Sequence, residues 1–268
     1  MANTTYSFGA SYSIIWFFTI TTIYSVIKFF TESKASKFMN EGQSESEFNE
    51  MNKNRFIFLS LYITLLFIGQ FIINVSISKK LCNVVQWKAS LLITLIPWVF
   101  IFLVLCLLLL LNPGWLQPFS NTFGYLVAYL SGINGVINEI IKPDNSDKDA
   151  DSGIKESLAL IYSNRTLLIN EITKDNFTDF WERIKPLMKD TAKTDTNLRD
   201  RLFRLVVMKE TIAEFIWYIL CGVLVCSIGY NYLVNTQCVN SIKDLELKMD
   251  EKQSQFLQKS RTIVRETD

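Results

Sequence analysis

Histidine is absent from the 268 residues of the chain. Histidine is the side chain most used for acid–base chemistry near neutral pH, and it is a common metal ligand. The five cysteines show no C-x-x-C spacing, and the sequence contains no Gly-rich phosphate loop and no G-x-S-x-G motif. We therefore expect no enzyme, and we predict no catalytic residues, no metal site and no cofactor.

Charge is nearly balanced, with 27 Lys and Arg against 26 Asp and Glu. A nucleic-acid-binding surface usually carries a basic patch, so we expect no direct contact with nucleic acid. Charge is missing altogether from residues 89–138, a run of fifty positions. Nearly half of the chain is apolar, and this content is concentrated in a few blocks, which points to lipid as the solvent of those blocks.

Four apolar stretches predict transmembrane helices, at about residues 11–27, 56–78, 89–111 and 213–236. Each is close to the roughly twenty residues that cross a bilayer at 1.5 Å per residue. The first stretch has no basic n-region or cleavage site, so we expect it to be retained. A buried helix of a soluble protein is the alternative for that first stretch. The polar residues 28–55 are interpreted as a solvated loop.

The third stretch ends at a corner formed by Pro113, Gly114, Trp115 and Pro118. Proline removes a backbone donor, glycine permits a turn, and tryptophan suits the membrane–water boundary. Apolar residues then recur every three or four positions across residues 119–141. A second face of that segment carries small residues: Gly124, Ala128, Gly132 and Gly135. We predict one amphipathic helix in the interface or against the bundle, with a fifth span as the alternative.

Residues 139–212 form the main polar region between spans, and their apolar spacing predicts a small helical domain with a disordered start at 143–153. No Pro or Gly interrupts the pattern from Leu198 until Gly222, so one helix is expected to run from this domain into the last span. Gly222, Cys226 and Gly229 give that span a small-residue face for helix packing. An imperfect heptad pattern in residues 237–268 predicts a coiled coil and an oligomer formed through the tail.

The distribution of Lys and Arg favours an external N-terminus. With four spans, the 28–55 loop and the domain face the cytoplasm, and residues 79–88 and the tail lie on the other side. Cys82 and Cys238 then share one side, and they form a candidate disulfide if their Cα atoms come within about 7 Å. The alternative is two unpaired thiols.

At residues 113–125, and again at 164–172 with Asn176 and Phe177, the sequence resembles multi-span membrane proteins of large nucleocytoplasmic DNA viruses of the algal giant-virus type. The resemblance covers roughly residues 90–260, and the first motif is the more specific. It implies a virion component of the internal membrane, or a minor capsid protein, and it transfers no functional residues.

The predicted fold is therefore all-α: a polytopic membrane protein with four transmembrane helices, an amphipathic interfacial helix and a small helical domain. The leading hypothesis is a structural protein that anchors capsid or scaffold proteins to the internal bilayer through its polar domain and tail. Its expected partners are lipid, capsid proteins and other virion membrane proteins. A channel or transporter-like protein, with a pore lined by Gln70, Asn74 and threonines, is the alternative. Channels and transporters usually place ionisable residues within their spans. The central parts of these four spans contain no Asp, Glu, Lys or Arg, which makes the alternative less favoured.

Overall fold

The computed structural model describes residues 2–34, 45–142, 152–163 and 165–235. The membrane region contains α1 (Ala2–Lys34), α2 (Glu45–Cys82) and α3 (Trp87–Leu111). The chain continues through α4 (residues 113–130), α5 (Ile133–Ile140), α6 (Ser152–Ser163), α7 (Arg165–Glu171), α8 (Phe177–Ile184) and α9 (Asp190–Lys193). The last helix is α10 (Thr196–Asn235). Within the described residues the only β-type pairing is an isolated bridge between Ile141 and Met188.

The predicted all-α polytopic membrane fold is confirmed. Among the described residues, four helices are long and apolar enough to cross a membrane: Ser11–Lys34, Phe56–Cys82, Trp87–Leu111 and Thr196–Asn235. The predicted continuity of the last helix is also confirmed, because α10 runs for 40 residues. The predicted 28–55 loop is too long, since α1 continues to Lys34 and α2 begins at Glu45.

The helix α1 packs antiparallel to α10 in a four-helix bundle. Ser13 lies beside Cys226, with its carbonyl oxygen 3.9 Å from the Cys226 sulfur, whereas Lys28 pairs with Glu214. We call the Lys28–Glu214 end of the bundle the domain end and the opposite end the far end. The bundle core is largely aromatic. Its buried members are Phe17, Tyr24, Tyr62, Leu66, Trp98, Phe102, Cys106, Tyr218, Cys221, Val225 and Cys226.

Helix α3 is irregular at its centre, because Pro97 lies inside it and cannot donate a backbone hydrogen bond. The residues that follow, Trp98–Leu103, form a π-helical segment before regular α-helix resumes at Val104. A π-helical segment is one of the usual ways in which a helix absorbs such an interruption. It leaves Trp98 and Phe102 buried in the bundle core.

The domain forms a second core around the first half of α10. This core also includes side chains that precede residue 139, the predicted start of the domain. Its buried members are Ala128, Ile133, Val136, Ile137, Ile140, Ile141, Ile169, Ile172, Phe177, Phe180, Trp181, Ile184, Met188, Ala192, Leu198, Leu202, Phe203, Val206 and Val207. The backbone amides of Lys142 and Lys189 tie the segments together by donating to Leu187 and Ile140, each at 2.9 Å.

The prediction of a single helix over residues 119–141 is wrong. The chain breaks at Ser131 and Gly132, where Gly132 has φ +90°, and α5 then takes a new direction. The buried face of α4 is the small-residue face of Ser120, Gly124 and Ala128, whereas Leu130 is 76% exposed. This face is buried because α4 and α10 approach each other closely at Gly124, where a Cβ would overlap the backbone carbonyl of Lys209.

Several predictions lie outside the described residues. These are the disordered start over residues 143–151, the heptads of residues 237–268, and Cys238. Ser152 and Gly153, which end the predicted disordered segment, belong to α6.

Candidate functional site

Five charged side chains meet where the bundle joins the domain. We call them the junction network: Lys28, Glu32, Lys174, Glu210 and Glu214. The Lys28 ammonium pairs with Glu214 and lies 3.9 Å from Glu32. The Lys174 ammonium lies 3.3 Å from Glu32, 3.5 Å from Glu214 and 3.7 Å from Glu210. All five side chains are largely buried, so their charges are screened by water less than surface ion pairs would be.

The network joins three distant parts of the chain. Lys28 and Glu32 belong to α1, Glu210 and Glu214 belong to α10, and Lys174 lies in the loop between α7 and α8. Removing one partner of such a buried group typically costs about 3–5 kcal/mol, because it leaves an uncompensated charge behind. The network therefore fixes the position of the domain on the bundle.

The loop that carries Lys174 is held by its own side chains. The backbone amide of Thr173 donates to Asn176 Oδ1 at 2.8 Å, and the amide of Asn176 donates back to Thr173 Oγ1 at 3.1 Å. The backbone amide of Lys174 donates to Glu210 Oε1 at 2.8 Å. Glu210 thus holds both the backbone and the side chain of Lys174, and the loop has little freedom to leave α10.

Lys209 fixes the same loop from inside the domain. It is 1% exposed, and its ammonium donates to the carbonyl oxygens of Ile169 and Ile172 at 2.8 and 2.9 Å. These carbonyls lie at the C-terminal end of α7, where helical carbonyls lack partners and the helix dipole favours a cation. Lys209 therefore provides hydrogen-bond donors to the carbonyl groups at the end of α7, where the Lys174 loop begins.

Two cavities flank the junction network. The polar cavity has a volume of about 340 Å³, and its charged lining residues are Lys28, Lys174, Asp175, Glu210 and Glu214. The apolar cavity has a volume of about 220 Å³ and is lined by Tyr24, Lys28, Thr31, Glu32, Phe56, Phe58, Leu59, Leu110 and Tyr218. Lys28, Leu110 and Tyr218 belong to both linings, so the two cavities are neighbours.

The members of this site are far apart in the chain, with Lys28 and Glu214 separated by 186 positions, so no short motif in the sequence indicates the site. A usable signal was present in the sequence. Lys28 with Glu32 and Glu210 with Glu214 are i,i+4 pairs at the ends of apolar spans, and such pairs share one helix face.

The predicted corner residues lie beside the polar cavity. Pro113 begins a 3-10 turn, Gly114 lines the cavity, and the rings of Trp115 and Trp217 are 6.4 Å apart. Pro118 lies in the helical turn that follows. Gly114 lies within this turn, but the turn does not need the conformational freedom of glycine. Gly132 is the only described glycine with positive φ, and a Cβ at Gly114 would meet nothing within 4 Å.

The predicted packing residues of the last span face α1 and α3. A Cβ at Gly222 would overlap the ring of Phe17, and a Cβ at Gly229 would lie 3.8 Å from the carbonyl oxygen of Ile93. Cys226 is buried, and its sulfur accepts a contact from Gln70 at 3.6 Å.

The two polar side chains of α2 bind neighbouring helices. Gln70 donates to the carbonyl oxygen of Ser13 at 2.8 Å, and Asn74 donates to the Thr94 hydroxyl at 2.8 Å. Both side chains are at most 5% exposed. Hydrogen bonds of this kind hold helices together within a membrane.

The cysteines fall into two groups. Cys106, Cys221 and Cys226 are free thiols buried in the bundle, and Cys82 is disulfide-bonded. Cys238 lies outside the described residues, so its pairing with Cys82 stays a prediction. Mass spectrometry of non-reduced peptides tests it. A peptide cross-linked through residues 82 and 238 is expected, and free alkylation of both cysteines would contradict the pairing.

The chemistry available at the junction is ionic and hydrogen-bonding. In the part of the chain that the structure describes, no group of three or more His, Cys, Asp or Glu side chains is arranged to hold a metal ion. No protein-family model matches the chain, and no curated protein and no solved structure shows a significant match to it.

Proposed function

We propose that this chain is a structural membrane protein of a virion's internal membrane. In this proposal the four-helix bundle is the anchor, and the domain and tail bind capsid or scaffold proteins. The observation that carries the proposal is the continuity of α10. This helix is 40 residues long, about 60 Å at 1.5 Å per residue, and it takes part in both cores.

A rigid connection is what an anchoring protein needs. A flexible linker between membrane and domain would let the domain move freely relative to the bilayer. Here α10 has no break between the domain and the bundle, and the junction network adds contacts from Lys28 and Glu32 of α1. A load applied to the domain would therefore be carried by two membrane helices.

The packing of the bundle supports the function of a membrane anchor more than that of a channel. Its centre is filled by side chains such as Phe17, Leu66 and Phe102, which are fully buried. Gln70 and Asn74, the polar side chains proposed as a pore lining, are engaged in interhelical hydrogen bonds. An aqueous path through the centre of the bundle would require these contacts to separate.

The viral assignment rests on the resemblance carried by residues 113–125 and by residues 164–172 with Asn176 and Phe177. The two stretches are neighbours in the fold. The Thr166 hydroxyl and the Tyr125 hydroxyl share a hydrogen bond at 3.1 Å. The resemblance therefore concerns one continuous part of the protein, which includes the junction between bundle and domain.

Purified particles of the virus that encodes the chain provide the test. We expect the protein to remain with the particles and to be released with the internal membrane by detergent. Lysine cross-linking should join the partly exposed Lys185 and Lys193 of the domain to a capsid or scaffold protein. Lys209 is the internal control, because it is buried and should not react. Absence of the protein from particles would overturn the proposal.

Reconstituted liposomes test the channel alternative. An anchor is expected to give no flux of ions or small solutes above that of protein-free liposomes. Flux that depends on the protein, and that is altered in Gln70→Ala or Asn74→Ala variants, would favour the channel instead.

A further inference from the structure

The two cavities at the junction differ in chemistry, although they share part of their walls. The polar cavity is bounded by charged side chains of α1, α10 and the Lys174 loop. The apolar cavity is bounded by Phe56 and Leu59 of α2 and by Tyr24 of α1. A charged compartment next to an apolar one fits an amphiphile, whose head and chain need different surroundings.

The level of the cavities along the bundle matches the edge of a bilayer. After Glu214, α10 continues to Asn235 for 21 residues without a charge, which is about 31 Å of helix. Lys28 lies beside Glu214, at the same level of α1. Charged side chains at the limit of an apolar span lie among lipid headgroups. The apolar cavity extends along α1 from Glu32 to Tyr24, and Tyr24 lies one helical turn deeper than Lys28, so the inner end of this cavity is toward the hydrocarbon.

The charges of the polar cavity define the head that it accepts. Its lining carries the ammonium groups of Lys28 and Lys174 and the carboxylates of Asp175, Glu210 and Glu214. Glu32, which contacts both lysines, lines the neighbouring cavity, so four carboxylates face two ammonium groups over the two cavities. This excess of negative charge disfavours a purely anionic head and favours one that brings an ammonium group. The ammonium groups of the two lysines can donate hydrogen bonds to a phosphate next to that ammonium head. Hydrogen bonds between ionised partners are stronger than those between neutral ones.

We infer that the two cavities form one binding site for a zwitterionic phospholipid with a primary ammonium head, of the phosphatidylethanolamine class. The ammonium binds the carboxylates of Glu210, Glu214 and Asp175, and the phosphate binds Lys28 and Lys174. The first part of an acyl chain enters the apolar cavity past Leu110, which both linings share.

A glycine in the wall of the polar cavity permits a test that substitutes no residue of the junction network. A Cβ at Gly114 meets nothing within 4 Å, so a tryptophan has room to begin at this wall position, and its ring is expected to reduce the space inside the cavity. Gly135 is a matched control. It too is open to a Cβ, and it lies on α5, outside both linings. The pair Gly114→Trp and Gly135→Trp therefore separates occlusion of the site from the general effect of an added tryptophan.

The measurement is native mass spectrometry of the full chain, stripped of lipid in detergent and titrated with phosphatidylethanolamine. We expect one saturable site in the parent and in Gly135→Trp. Affinity should fall by about tenfold or more in Gly114→Trp, a change that corresponds to ~1.4 kcal/mol. Equal affinity in all three proteins would overturn the inference. If Gly114→Trp does not fold, Leu59→Trp gives the same decision, because it fills the apolar cavity from α2.

Three other probes test the chemistry of the head and the use of the apolar cavity. Phosphatidylcholine, which lacks ammonium N–H donors, should bind more weakly than phosphatidylethanolamine, and anionic phosphatidylglycerol should bind more weakly still. Soluble glycerophosphoethanolamine should bind more weakly than the lipid because it has no chain. Phosphatidylglycerol binding as tightly as phosphatidylethanolamine would overturn the assignment of the head, and equal binding of the soluble head would overturn the role of the apolar cavity.

Discussion

The bundle core and the domain core are packed by different means, although α10 passes through both. The bundle core consists mainly of aromatic rings, with Tyr24 stacked on Tyr62 at a centroid distance of 4.3 Å. The domain core is mainly aliphatic, with several isoleucines of α5 and α7 fully buried. The bundle also exposes large apolar side chains on its outer surface, such as Ile15, Leu61 and Leu107.

This difference follows from the solvent around each region. Water drives the aliphatic side chains of the domain into a core, because burying apolar surface is worth roughly 25 cal/mol per Å². Lipid gives no such drive, so helices in a membrane associate through close packing and interhelical hydrogen bonds. Gly222 against Phe17 and Gln70 against Ser13 are contacts of those two kinds. One helix therefore receives its stability from two sources, and the junction network lies where they meet.

The largest expected effect is the separation of the two regions by Leu205→Pro in α10. Proline inside a helix removes a hydrogen bond and clashes with the preceding turn, at a cost of about 3 kcal/mol or more. Residue 205 packs against the domain core, whereas the bundle residues of α10 begin about three turns later. Hydrogen exchange measured by mass spectrometry should show lost protection in residues 196–210 and retained protection in residues 218–233. If residues 196–210 stayed as well protected as residues 218–233, Leu205→Pro would not have separated the domain from the bundle.

A smaller effect is expected at the contact between α4 and α10. Gly124→Ala places a methyl group against the backbone carbonyl of Lys209, which cannot move without displacing the helix. Overpacking of this kind typically costs about 1–3 kcal/mol.

Gly114→Ala is the control for this change, since a Cβ at Gly114 meets nothing within 4 Å. Thermal unfolding in detergent should show a lower midpoint for Gly124→Ala and an unchanged one for Gly114→Ala. Similar midpoints for both variants would mean that α4 is not held closely against α10.

Lys209→Met should weaken the domain alone. The substitution keeps the length of the side chain but leaves the carbonyls of Ile169 and Ile172 without their donor. An unsatisfied buried acceptor costs about 1–3 kcal/mol, which is partly offset because a buried charge is also removed. Hydrogen exchange should increase in residues 165–176 and stay the same in the bundle. Faster exchange in α1 and α2 would show that the two regions are not separately stabilised.

The smallest expected effect is that of Gly222→Ala in the bundle. The added methyl group meets the ring of Phe17, a side chain that can shift more easily than a backbone. We expect a loss of about 1 kcal/mol, at the lower end of overpacking costs. The thermal midpoint should fall slightly, and hydrogen exchange in the domain should not change. A loss as large as that of Leu205→Pro would mean that the bundle determines the stability of the whole chain.

Local sequence patterns are enough to predict which segments lie in the membrane and where α10 runs. Runs of uncharged residues long enough to cross a bilayer identify spans without reference to tertiary contacts, because the cost of placing charge in lipid is local to each residue. The unbroken pattern from Leu198 onward predicted α10, since helix-breaking by Pro and Gly is also local.

Which helix faces pack together, and which charged side chains meet, depends on the tertiary packing of the helices. The periodicity of residues 119–141 indicates an apolar face and a small-residue face. The structure buries the small-residue face at Gly124 and Ala128, where the α10 backbone comes close, but it buries the apolar face at Ile133, Ile137 and Ile140. The break at Gly132 is a matter of backbone conformation that glycine permits without requiring. The meeting of Lys28, Lys174 and Glu214 depends on how α1, the α7–α8 loop and α10 pack. Contacts between such distant positions are set by packing in three dimensions, and local sequence patterns do not specify them.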